Sequence, residues 1–117
     1  MANPNIVNVT IITGKIAVLA ATTVATAIVA NPAASGKVFK INALYVSNVD
    51  GSVSADISID LFRNSTAYRI TSATQVITNT TVDVISKSIY LEEGDSLRLT
   101  ASADGDLEAV CSYEEIS

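Results

Sequence analysis

The groups able to do chemistry in this chain are twelve carboxylates, seven basic side chains and one thiol, and there is no histidine. A nucleophilic Ser or Cys needs a base beside it, and the commonest such base, imidazole, is missing. A lysine could substitute, but Lys15, Lys37, Lys40 and Lys87 fall in alternating stretches that turn them toward solvent. Cys111 shares a strand face with Leu107, Ala109 and Tyr113, which predicts a buried, inert thiol. Asp56 and Asp60 stand on one strand face about 13 Å apart, too far to share a proton or flank a sugar bond. A solvated outer face is expected for both. Glu92-Glu93-Gly94-Asp95 and Asp104-Gly105-Asp106 could offer loop oxygens to Ca²⁺, but neither has the alternating spacing of a dedicated calcium loop. Phe62 and Tyr68 could stack a sugar ring. No residue is assigned as catalytic, cofactor-binding or metal-ligating, and the chain is expected not to be an enzyme.

The elements that must position these groups are strands. Val, Ile and Thr occur in short runs separated by Asn, Asp, Gly and Ser. Residues 6–12 read as a strand, residues 1–12 together as an N-terminal arm or edge strand, and Thr13-Gly14 as a break. Lys15 to Leu19 and Thr22 to Ala30 follow, and Asn31 to Gly36 is a loop punctuated by Pro32 and Gly36. Lys37 to Val49 is long enough for a central strand. Alternation there sets Phe39, Ile41, Ala43 and Tyr45 against Lys40 and Asn42. Asp50-Gly51 is a strong turn signal. Ile57, Ile59 and Leu61 alternate with Asp56, Ser58 and Asp60, the pattern of a half-buried strand. Arg63-Asn64-Ser65 turns the chain into Thr66 to Ile70. A weaker strand is expected from Val76 to Thr80, then Val82 to Val84 and Ile89 to Leu91. Leu97 to Ala101 and Leu107 to Tyr113 complete the set. Eight to nine short strands with frequent turns and no helical period predict one all-β domain over residues 1–117. Its form is an antiparallel sandwich close to a jelly roll.

Composition narrows the partners. Apolar residues make up 49% of the chain, which suits a packed core, while 16% charged residues is low for a monomer that stays dissolved alone. A net charge of −5 with scattered basic residues argues against nucleic acid, whose phosphates require clustered Lys and Arg. No basic amphipathic face favours a membrane surface.

The segment Ile16 to Ala30 imitates a targeting sequence. It lies too far in for a secretory signal, is too short to span a bilayer, and is rich in β-branched residues. Both of its alternating registers lack charge. A strand apolar on both sides is covered on both sides, either by loops of its own domain or by a neighbouring chain. The second reading makes Val18, Leu19, Val24, Ala25, Ala27, Ile28 and Val29 candidate interface residues.

Four stretches carry a family resemblance: Met1 to Val9, Asn31 to Asn42, Ser88 to Thr100 and Val110 to Ser117. Together they resemble small virion structural proteins of tailed bacteriophages, especially marine cyanophages. The resemblance implies a capsid decoration or cement protein, made in the host cytoplasm and bound in many copies to the head exterior. Its partners would then be the major capsid protein and copies of itself, as a trimer. A tail, neck or fibre component, or a module that binds a host glycan, is the alternative.

Overall fold

The computed structural model describes residues 10–117. They form nine strands and no helix: β1 Ile12–Ala20, β2 Thr26–Ala30, β3 Val38–Asn48, β4 Ala55–Arg63, β5 Thr66–Val76, β6 Thr81–Asp83, β7 Ile89–Leu91, β8 Ser96–Ala101 and β9 Leu107–Ile116. One sheet has the order β1-β9-β3-β6, with β7 also paired to β3; the other has the order β2-β8-β4-β5. All pairings are antiparallel. The partners nest: β4 pairs with β5, β3 with β6 and β7, β2 with β8, and β1 with β9. A hairpin whose two arms roll up together into facing sheets gives this order, and it is a jelly roll. At its tip Asn64 and Ser65 both have positive φ, 51° and 61°, as a two-residue type I′ turn requires. Of the expected strand over 6–12, only Ile12 lies within β1, and residues 1–9 lie outside the described residues.

Several boundaries differ from the sequence expectation. Thr13-Gly14 does not break the chain; both residues belong to β1 and pair with Glu115 and Glu114 of β9. Only Thr26–Ala30 of the expected third strand is extended, because residues 21–25 carry the chain from one sheet to the other. Val76 does not open a weaker strand. It is the buried end of β5, and Ile77 begins the turn. Lys87 sits in the irregular segment between β6 and β7, not in a strand.

The largest correction concerns β3. Phe39 and Ile41 are buried as expected, but Tyr45 is 45% exposed, while Leu44 and Val46 are completely buried. The register against β9 steps from Ile41↔Tyr113 to Ala43↔Ser112, leaving Asn42 as an extra residue. Such a bulge reverses which alternate side chains face the core. Asp60 departs from expectation in a different way. It lies on the outer face of β4 between Arg98 and Arg69, its register partners on the two sides, yet is only 6% exposed. Long arginine stems cover the sheet surface and exclude water from the carboxylate.

The core between the sheets comprises Ile41, Leu44 and Val46 of β3, Ile57 and Ile59 of β4, Leu91, Leu97 and Leu99, with Leu107, Ala109 and Cys111 of β9. Cys111 is fully buried, and burial pushes its thiol pKa up to about 11. Both factors suppress the thiolate. Folded protein at pH 8 should therefore resist iodoacetamide and react only after denaturation, read as one added carbamidomethyl by mass spectrometry. Rapid labelling of the native chain would contradict this packing.

Candidate functional site: an uncovered apolar face and edge

Two buried asparagines, to which the sequence reading gave no role, anchor the ends of the sandwich. Asn31 donates from Nδ2 to the carbonyls of Lys37 and Leu91 and accepts from Ser35 Oγ at Oδ1. Asn48 likewise donates to the carbonyls of Val53 and Val76 and accepts the Asp50 N–H. A short amide that satisfies several backbone groups at once fixes loops without its own secondary structure. The only sequence signal was an Asn next to a turn.

Several carboxylates are engaged internally. Arg63 Nε donates to Asp95 Oδ1 at 2.7 Å, its Nη2 reaches Asp95 Oδ2 and Glu92, and the Glu92 N–H donates to Asp95 Oδ2. The Glu92 to Asp95 turn thus holds a guanidinium where the sequence allowed a calcium ion. Asp104 Oδ1 accepts the Thr23 N–H across the strand-crossing segment. Glu115 lies between Lys15 at 2.9 Å and Lys37 at 3.1 Å. The Lys15 hydrogen bond is the main reason its carboxyl stays below the ordinary range. Among the described residues no group of three or more His, Cys, Asp or Glu is placed to hold a metal ion. Arg69 bonds Asp60 at 2.5 Å, and the Arg98 guanidinium lies 3.4 Å from the Phe62 ring centroid. One face of Phe62 is therefore occupied by a cation, which leaves Tyr68, 56% exposed, as the open ring of the proposed sugar platform.

The unusual surface is β1. Ile16 is 70% exposed and Val18 72%. The register places Val18, Val110 and Tyr45 side by side across β1, β9 and β3. Directly opposed residues present their side chains on the same face, so these three form an apolar row on the outside of the sheet. Ile16, Ser112 and Ala43 form the adjoining row. Charge appears only at the margins, with Glu108 beyond Val110, Asp83 beside Tyr45, and Glu114 and Lys40 at the other end. Of the candidate interface residues, Val18, Val24, Ala25 and Ala27 are exposed, whereas Leu19 and Ile28 are half-buried against the core. Val29 is only 4% exposed and belongs to the core. Bulging of β2 at Ile28 turns Val29 inward, opposite Leu97, so it cannot present a docking surface. Neither Tyr45 nor Val110 was among the candidate interface residues: the β3 bulge hid the first, and the second is a lone valine on the face opposite Leu107, Ala109 and Cys111, whose neighbours in space come only from the strand pairing.

The backbone of β1 is open as well. Ile11 and Ser117 exchange hydrogen bonds in both directions, at 3.1 and 3.0 Å. In an antiparallel ladder such doubly bonded pairs alternate with unbonded ones. Odd-numbered residues of β1 therefore bond β9, and the N–H and C=O groups of Ile12, Gly14, Ile16, Val18 and Ala20 point away from it. No other strand of the described residues pairs with that side.

No protein-family model matches this sequence, and no curated protein matches it. Among solved structures, similarity extends over 98% of this chain and 95% of a chain from "Bacillus endospore appendages form a novel family of disulfide-linked pili", with a TM-score of 0.57 and 14% identity. At that identity the likeness establishes a shared all-β architecture.

Proposed function

We propose that this protein is a non-enzymatic structural subunit that works by assembling with copies of itself into a larger body. The observation that carries this reading is the outer apolar row of Val18, Val110 and Tyr45, which stays in solvent at 72%, 40% and 45% exposure while the core is otherwise complete. Apolar patches of this kind mark association surfaces. Low charge content supports the same reading, and the thiol that a nucleophilic mechanism would use is buried.

The resemblance noted from the sequence supports a phage head as the assembled body, with this chain on its exterior against the major capsid protein. A modest contact repeated over many copies stabilises a shell additively, because anything that binds the assembled state shifts the equilibrium toward it. A filament is the second form, favoured by the pilus subunit that shares this architecture. Linkage by disulfides does not carry over readily from those pili, since the sequence has a single cysteine and Cys111 is buried.

Light scattering coupled to size exclusion should give a mass above that of one chain at micromolar concentration, with ordered particles in negative stain. Val18→Asp should remove the ordered particles and lower the mass, and leave the circular dichroism spectrum and melting temperature nearly unchanged, since the side chain faces water in the single domain. A wild-type chain that stays monomeric across the concentration range and is missing from every particle would refute the reading.

A further inference from the structure

The edges of the two sheets are not equally protected. Proteins guard exposed edges by keeping them short, bulged or charged. Strand β2 has five residues and a register shift between Ala27 and Val29. Strands β6 and β7 have three residues each and divide one edge between them. Strand β5 has two register shifts against β4, a positive φ at Ala73 (49°), and a charge at Arg69. Strand β1 has none of these devices. It runs in unbroken register with β9 over nine residues, has no proline, and its one charge, Lys15, is bound to Glu115.

We infer that β1 of one molecule pairs antiparallel with β1 of a second, about a two-fold axis through Ile16, joining the two β1-containing sheets into one. The inference rests on the self-assembly reading above and names its contact. The occupant follows from the edges themselves. An open strand edge is completed by another strand, and among the described residues β1 alone offers a long unbulged edge to match. The register follows from the parity of the free groups. Centring on Ile16 opposes Ile12 to Ala20, Gly14 to Val18 and Ile16 to its own copy, so every free residue meets a free residue. Each such pair exchanges two hydrogen bonds, about ten in all. Lys15 then faces Ala17 of the second copy, so like charges are not opposed.

Gly14 fits the same arrangement. A Cβ there would meet nothing within 4 Å, and the β1–β9 ladder has no bulge to require glycine. A glycine inside a regular strand commonly marks the approach of another chain. In the proposed register it leaves space for Val18 of the second copy. The contact closes on itself as a dimer, and larger bodies are then built from dimers through the outer apolar row.

Two variants of the full chain test this. Ile16→Pro removes an N–H that points away from β9, a position where an edge strand tolerates proline, so the fold should survive while dimerisation weakens by about 100-fold or more. Ile16→Cys should give an intermolecular disulfide under mild oxidant, because opposed residues in such a pair lie about 5.5 Å apart at Cα. Tyr68→Cys on β5 should not cross-link. Wild-type and Ile16→Pro chains of equal mass above the monomer, with no cross-link in the Ile16→Cys variant, would overturn the β1 contact and leave self-assembly standing. A wild-type chain that is monomeric at every concentration overturns both.

Discussion

Inserting one alanine between Ala43 and Leu44 should abolish the cooperative unfolding transition, whereas deleting Asn42 should leave it intact. Asn42 is the extra residue of the β3 bulge, and without it Ile41↔Tyr113 is followed directly by Ala43↔Ser112, so regular alternation keeps Phe39, Ile41, Leu44 and Val46 inside. An insertion does the reverse. With the bulge unchanged, keeping Phe39 and Ile41 in the core would then turn Leu44 and Val46, each fully buried, toward water and drive Tyr45 and Ser47 inward. Fully burying one such aliphatic side chain is worth about 1.5–3 kcal/mol. Exposing two of them while pressing a phenol and a hydroxyl into their places costs more than about 5 kcal/mol, a large part of a domain's total stability. Thermal denaturation followed by circular dichroism should show a broad, non-cooperative loss for the insertion and a sharp transition for the deletion. A sharp transition in the insertion variant would show that register is set elsewhere.

Arg63→Met should be the most damaging single substitution of a polar residue. It leaves Asp95, whose side chain is 2% exposed, without its guanidinium partner at the junction of β4 with the β7–β8 turn. Breaking a buried pair from one side costs about 3–5 kcal/mol. Arg63 is 38% exposed and its charge is partly screened by water, so about 2–3 kcal/mol is expected by chemical denaturation. Burial raises the Asp95 pKa, but the Arg63 hydrogen bonds and the Glu92 N–H outweigh it and hold the carboxyl below its ordinary 3.8. A depressed folded-state pKa contributes stability that is complete above 3.8 and is lost as pH falls through the folded value. The gap between wild type and Arg63→Met should therefore be widest at neutral pH and close in acid. A gap that stays constant with pH would assign the loss to packing of the arginine stem instead.

The sequence revealed the class of fold well because β-branched runs and turn residues are local signals. Asp50-Gly51, Asn64-Ser65 and the alternation of Ile57 and Ile59 need no knowledge of distant partners. The β3 bulge was illegible for the opposite reason. Nothing in Ile41-Asn42-Ala43 states that β9 advances one residue while β3 advances two. The extension of the expected Thr66–Ile70 strand through to Val76 in β5 was hidden in the same way, since its Thr and Ser residues are held extended by pairing with β4. At the candidate interface, lack of charge marked Ile16 to Ala30, and the exposed side chains of Ile16, Val18 and Val24 lie within it. Composition could not separate them from Val29, because turning a valine inward depends on the irregularity at Ile28. Asn31, Asn48 and Arg63 were missed because their roles come from partners dozens of positions away.

The nesting of early strands onto late ones also sets an order of events during synthesis. Strand β1 has no ladder to join until β9 has left the ribosome, and β2 similarly waits for β8. Closing such long loops precedes any reward from the contacts they permit, which makes folding of this topology slow. A chain without β9 consequently has no finished rim, and the edge proposed to meet a second copy exists only once β1 has paired with β9. Under the proposed self-assembly, the topology itself would keep half-made subunits from joining.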